Sequence, residues 1–392
     1  NRENVFSRFN NAGILTQVEK SSVLVTTPSI GVGGNVDMTV YGNGVTTNAK
    51  DSNVTIAGGG SIQVPAGTKY SYYALAAYQG EINMNMGDDG TKPGNAKTGI
   101  NIADVKLDGD LFALSTGKLN VALLTNKSYL HGLVDNGGTA DLYLKNGAKW
   151  INEGRNERYY QDDEDKGAGS FAKNGFNKVY TPKSRVTHFH GGDAAASHGI
   201  IYQKDAANLD IDEYSGHTTV VYAHDTATPT TMKGGDIIID KAIGTENVMT
   251  LFTDSNGVTG NQDAVLNALA EKLTYKSYAD NKLTGKLSIN EGLIASSAHK
   301  DITFKASGKG SYVTSGADTH KPITAADATA GTYTLTADER RVLTQAEGGF
   351  GFNAKHSALA NYTANASGNS VTDLTVDLAG HSLTLGMTSG NK

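Results

Sequence analysis

Short apolar runs of three to six residues, bounded by Gly, Asn, Asp, Thr and Ser, recur along the chain. This texture predicts many short strands separated by turns, and helix-period stretches are almost absent. Ile82/Met84/Met86, Ile100/Ile102, Leu119/Val121/Leu123 and Ala140/Leu142/Leu144 follow one another at steps of about 18, 19 and 21 residues. A second series, Ile200/Tyr202, Val220/Tyr222 and Ile237/Ile239, steps by roughly 20 and 17. Further runs lie between them, such as Leu111 to Leu114 and Tyr129 to Leu133. A period of about 20 with two or three strands in each is the spacing of a β-solenoid rung. Alternation sends Ile, Val, Leu and Met inward and Thr, Asn, Lys and Asp outward, and stacked rungs pair each other's backbone groups. A β-sandwich is the other architecture compatible with the pattern, with Asn-Gly at 43–44, 146–147 and 174–175 serving hairpin turns.

Three segments break the period. Residues 154–187 are charged and aromatic and read as a loop excursion: Arg155, Glu157, Arg158, Tyr159, Tyr160, Asp162, Asp163, Glu164 and Asp165, then Phe171 and Phe176. Residues 263–273 (DAVLNALAEKL) place apolar side chains at 265, 266, 269 and 273 and predict one short amphipathic helix. Residues 321–366 are richer in Ala and Thr and less regular, and the pattern resumes at Val371, Leu374, Val376, Leu378, Leu383 and Leu385. The domain organisation expected is one solenoid over 1–392 with these interruptions.

Composition narrows the function. Hydrophobic residues make up 38% of the 392 positions, and 47 Gly stand against 6 Pro, which excludes collagen-like and Pro-rich chains. A net charge of -6, from 40 acidic and 34 basic residues, offers no global attraction to phosphate backbones, so nucleic acid is not an expected partner. The absence of Cys removes disulfides, thiolate nucleophiles and Cys-ligated zinc. It also suits export through an oxidising periplasm. No apolar run reaches the ~18 residues that span a bilayer. No charged-then-apolar leader opens the chain at Asn1, so it reads as a mature or excised segment whose export signal and membrane anchor lie elsewhere.

Candidate chemistry is sparse. The serine-nucleophile patterns G-x-S-x-G and Gly-Asp-Ser-Gly are absent. Asp162 and Asp163, followed by His198-Gly199, match the order of a polysaccharide-cleaving β-helix, but they sit in the charge run QDDEDKG and no Arg-x-Lys follows. His188, His190, Asp193 and His198 form H-x-H-x-x-D-x-x-x-x-H. On a strand, the first two histidines share a face about 6.5 to 7 Å apart, within reach of one Zn²⁺ or Ni²⁺. The competing reading is a polar outer face followed by a Gly-Gly turn. GGNVDMTV (33–40) and GGTADLYL (137–144) approach a calcium-binding nonapeptide but lack its third glycine and tandem repetition, so they read as tight turns entering strands. Asp162 to Asp165 offers carboxylates for weak Ca²⁺ binding. No cofactor is otherwise expected. Tyr70, Tyr72, Tyr73 and Tyr78 divide between core and surface, because alternation puts Tyr72 and Tyr73 on opposite faces. Trp150 reads as a core or rung-corner residue.

The strings YYALAAYQGEINMNM (72–86), ADLYLKNGAKWINEG (140–154), GGDIIIDKAIG (234–244), DAVLNALAEKLTYKSYADNKLTGKLSINEGL (263–293) and DLTVDLAGHSLTLG (373–386) resemble passenger domains of bacterial autotransporters, the type V secretion system. The resemblance covers most of the chain through rung patterns and carries no catalytic signature. It implies an all-β, right-handed parallel β-helix (β-solenoid) with loop excursions and one short helix. It also implies export to the bacterial cell surface by a C-terminal outer-membrane β-barrel that the given chain lacks. By the same resemblance the expected function is adhesion without enzymatic activity. The partners would be another copy of the chain on a neighbouring cell, or a host surface protein or glycan. Arg155, Arg158, Tyr159, Tyr160, Asp162, Asp163, Glu164 and Asp165 are the candidate ligand or self-association residues. The alternative function is a polysaccharide-binding or -cleaving β-helix.

Overall fold

The computed structural model describes residues 12–26, 35–65, 72–87, 90–91, 93, 103–155, 183–204, 208–258, 262–289, 300–304 and 308–311, and the backbone of strands at 332–334, 339–344, 375–377 and 383–388. The protein is a parallel β-helix whose large sheet is wound nearly closed. The chain divides into two compact units, Asn1–Ala223 with Lys233–Asp240, and His224–Met232 with Lys241–Lys392.

In the first unit three parallel ladders stack. The first joins Ala12–Thr16 to the leading parts of Asn43–Ile56, Leu75–Met84 and Leu111–Leu123, then to Val134–Asn136. The second joins Ser22–Val25 to the trailing parts of the same three long strands, then to Thr139–Leu144, Lys183–His190 and Asn208–His224. The third joins Val36–Thr39, Gly60–Gln63, Val105–Asp108, Tyr129–His131, Lys149–Asn152 and Gly199–Gln203 to residues 218–222.

Register places like on like. The third ladder's inward column runs Ile62, Leu107, Leu130, Trp150, Ile201 and Val220, all fully buried. Each such side chain contributes roughly 1.5–3 kcal/mol by leaving water. The second ladder's inward column runs Ile56, Met84, Val121, Leu142, Phe189 and Tyr214, closing on Phe189 and Tyr214 rings stacked with centroids 5.6 Å apart. Trp150 donates its indole N–H to the Gly132 carbonyl at 2.9 Å, as a core tryptophan must to satisfy its donor.

Two expectations are corrected by the register. Ile82 pairs directly with Leu119, so these two lie on neighbouring strands of one ladder and not two steps apart, and Ile100 and Ile102 lie outside the described residues. In the second series, Ile201 and not Ile200 pairs with Val220, and Gln203 pairs with Tyr222. Ile200 and Tyr202 therefore lie on the face opposite the inward column, where Ile200 is nonetheless covered. Two adjacent isoleucines left the phase ambiguous, and a shift of one residue exchanges the faces.

Of the three Asn-Gly pairs proposed as hairpin turns, those at 43–44 and 146–147 do not make hairpins, and the pair at 174–175 lies outside the described residues. Asn43-Gly44 opens a strand of the first ladder. Asn146 and Gly147 are both left-handed, with φ of 56° and 77°, and turn the chain from Thr139–Leu144 into Lys149–Asn152, each of which pairs with parallel neighbours. At Gly138 a Cβ would lie 2.3 Å from both Gly117 O and Leu114 O, so GGTADLYL is a tight entry into a strand.

A chain of polar groups crosses the interior. Ser184, Asn152 and Gln203 are buried to within 1%. Val134 N–H donates to Ser184 Oγ at 3.0 Å, which donates to Asn152 Oδ1 at 2.6 Å. Asn152 Nδ2 donates to Gln203 Oε1 at 2.7 Å, and Gln203 Nε2 to Gly235 O at 3.2 Å.

In the second unit, residues 248–253 pair in parallel with Thr284–Ile289, which pairs antiparallel with Lys300–Phe304. Helix α1, Gln262–Ala270, buries Val265, Leu266, Leu269 and Ala270, the stripe its sequence predicts, and Leu273 opens a strand instead of extending the helix. Thr332–Thr334 pairs in parallel with Thr375–Asp377, and Glu339–Thr344 with Leu383–Thr388, so strands also form within the segment 321–366.

Candidate functional site

The outward side of the second ladder carries an unbroken polar column. Thr55, Asn83, Asn120, Asp141, His188 and Glu213 lie in register on six successive strands. They lie one position from the inward column, so the pleat turns them outward. Asn83 Nδ2 donates to Thr55 Oγ1 at 3.1 Å, and Asn120 Nδ2 reaches Asn83 Oδ1 at 2.7 Å and Glu81 Oε1 at 2.6 Å. His188 Nδ1 lies 2.6 Å from Asp141 Oδ1, and its Nε2 lies 3.5 Å from Glu213 Oε2. A carboxylate only accepts, so the short contact sets Nδ1 as the protonated nitrogen.

Beside it runs Ala122, Tyr143, His190 and Ser215. The Tyr143 and His190 rings stack at 4.2 Å and 12°. Burial pushes His190 below the ordinary imidazole range, opposed by Asp141 and reinforced by His188 and Lys145. Burial and the Asp141 charge both push the Tyr143 phenol up. Lys145 Nζ and Asp193 Oδ1 pair at 2.6 Å.

The four residues predicted to share a metal are therefore divided. His188 and His190 do share a face, as their spacing predicts. His188, however, is held between Asp141 and Glu213 on opposite ring nitrogens, so those carboxylates cannot join it on one ion. Asp193 takes Lys145, and His198 Nδ1 contacts Ala195 O at 2.6 Å. No group of three or more His, Cys, Asp or Glu converges as a metal site among the described residues.

Of the predicted ligand residues, only Arg155 falls within the described structure, and Arg158, Tyr159, Tyr160, Asp162, Asp163, Glu164 and Asp165 lie outside it. The end of the expected excursion, from Lys183, belongs to a ladder strand. Arg155 joins a second cluster, on the outward side of the third ladder. Its Nε lies 3.0 Å from Asp108 Oδ1, and its backbone N–H donates to buried Asp110 at 3.0 Å. His131 Nε2 lies 3.1 Å from Glu153 Oε2 and its Nδ1 3.5 Å from Asp108 Oδ1. In the adjoining register Lys106, Tyr129 and Lys149 occupy one column on three successive strands. Burial, with Asp108, pushes the Tyr129 phenol up.

Reading by local motif missed Asp141, Glu213, Asp108, His131 and Glu153. Their partners are 22 to 47 residues distant, and only alignment of the rungs could have joined them. No family model, curated protein or solved structure matches the chain.

Proposed function

We propose that the protein is an adhesin of the bacterial cell surface, exported as an autotransporter passenger, that holds cells to one another or to a host surface through its outward polar columns. The observation that carries this reading is the column from Thr55 to Glu213, continuous over six strands and half-exposed from Asn120 to Glu213. Bonds between rungs already order its side chains, so a partner meets groups whose freedom is largely spent before contact. One hydrogen bond contributes about 1 kcal/mol. Strength then comes from repetition along the column and from many copies on one cell.

Cells displaying the protein should flocculate or bind matrix or glycans. Alanine at one position of the column should change this little. Alanine at Asn120, Asp141, His188 and Glu213 together should abolish it while circular dichroism stays that of the parent. Displaying cells that neither clump nor bind such surfaces would falsify the proposal.

A second reading is favoured by the third-ladder cluster. Asp108 and Glu153 stand on opposite nitrogens of His131, beside Arg155 and the cations Lys106 and Lys149. Two separated carboxylates are what acid–base cleavage of a polysaccharide uses, and the cations would hold an acidic one. Release of reducing ends that disappears in Asp108→Asn with Glu153→Gln would establish it. No release from acidic or neutral polysaccharides would dismiss it.

A further inference from the structure

Four Asn-Gly pairs lie among the described residues, at 43–44, 136–137, 146–147 and 256–257. The sequence treats them alike, because the small, unhindered glycine lets its backbone nitrogen reach the preceding side-chain amide. The structure does not.

In three of them both reacting groups are occupied. Asn43 Oδ1 accepts Tyr73 N–H at 2.9 Å, and Gly44 N–H donates to Tyr73 O at 2.8 Å. Asn136 Nδ2 donates to Thr187 Oγ1 at 3.2 Å, its Oδ1 accepts Gly138 N–H at 2.8 Å, and Gly137 N–H donates to Ala113 O at 2.8 Å. Asn146 Nδ2 donates to Leu124 O at 3.0 Å, and Gly147 N–H to His198 O at 2.9 Å.

The fourth pair differs. Asn256 and Gly257 are both exposed. The Asn256 main chain is held on both sides: its N–H donates to Asp254 Oδ1 at 3.0 Å, and its carbonyl accepts from buried His224 Nε2 at 2.5 Å. Neither its side-chain amide nor the Gly257 N–H has a hydrogen-bond partner among the described residues. Among the described residues, nothing holds the nucleophile or the carbon it attacks, within a turn that is otherwise anchored.

We propose that Asn256 is a site of spontaneous deamidation, selected by the fold from among chemically equivalent pairs. Gly257 N gives up its proton to solvent base and bonds to Asn256 Cγ, the amide nitrogen takes up a proton from solvent, and its bond to Cγ breaks, releasing ammonia. Water then opens the five-membered imide at either carbonyl, leaving aspartate or isoaspartate at 256. The isoaspartate form lengthens the backbone by one carbon inside the turn that His224 and Asp254 hold.

The folded protein is incubated at mildly alkaline pH and digested, and the acid and amide forms of each peptide are separated and quantified by mass spectrometry. Breaking the two bonds at each occupied pair slows its reaction, so conversion at 256 is expected to be at least about tenfold faster than at 43, 136 or 146. The same incubation in denaturant should bring the four rates together. Equal rates in the folded protein would overturn the proposal. A preference for 256 that persists undiminished in denaturant would overturn it too, by assigning the selectivity to neighbouring residues instead of the fold. Asn256→Gln should remove the fast phase and leave the other three rates unchanged.

Discussion

The inward column of the third ladder and the outward column of the second are built on the same spacing, yet they respond oppositely to change. Ile62, Leu107, Leu130, Trp150, Ile201 and Val220 form a dry stack, in which loss of any member opens a cavity between its neighbours. Asn120, Asp141, His188 and Glu213 are half-exposed, so water can replace what a substitution there removes, whereas Thr55 and Asn83 at the other end of the column are buried. The first column holds the coil together and tolerates little; the half-exposed stretch of the second, from Asn120 to Glu213, is freer to vary.

The largest effect that would sharpen this contrast is expected at Trp150. Trp150→Ala should lower the unfolding free energy by about 3–5 kcal/mol, measured from the urea midpoint. A loss no larger than that of the outward neighbour Tyr129→Ala would break the comparison. Gly80 comes next: its φ is 82°, and a Cβ would meet Ser52 O at 2.3 Å. Gly80→Ala should therefore cost about 1–3 kcal/mol in the same titration. Ser184→Ala, which leaves the Val134 N–H and Asn152 Oδ1 without their partner, should cost a similar ~1–3 kcal/mol. A neutral result there would mean that water enters the interior.

On the outward side the expected numbers shrink. Glu213→Gln should change stability by less than about 1 kcal/mol, because the His188 contact is long and partly exposed. The smallest effect is in pH dependence. Burial holds His190 below the ordinary value of 6.5, so the unfolded chain takes up a proton that the folded one resists. Stability from this residue is thus full above the unfolded value, declines as pH falls through about 6.5, and levels once the folded imidazole is also charged. His190→Phe, which keeps the ring stack on Tyr143, should flatten that slope in melting curves taken at a series of pH values.

Alternation made much of the coil legible. Ile82, Leu119 and Ala140 were placed in one inward column from their spacing alone, and the apolar stripe at 265, 266 and 269 identified α1. Phase failed at Ile200 and Ile201, where two equal side chains fit either face. Rung length failed between Ile82 and Leu119, which pair directly, because segments of unequal size between strands defeat any fixed period. The outward clusters were least legible. The spacing of His188 and His190 predicted their shared face, but the partners that divide them, Asp141, Glu213 and Tyr143, are set by register, a long-range property that no short motif encodes.

A pile of similar greasy coils has an inherent defect: one coil can substitute for its neighbour during assembly at little penalty. The hydrogen-bonded thread from Ser184 through Asn152 to Gln203 supplies what the aliphatic layers lack, a place that differs from every other level. Slippage by one layer would strand its donors and acceptors against hydrocarbon. The thread therefore acts as a counting mark, telling the growing stack which layer it has reached.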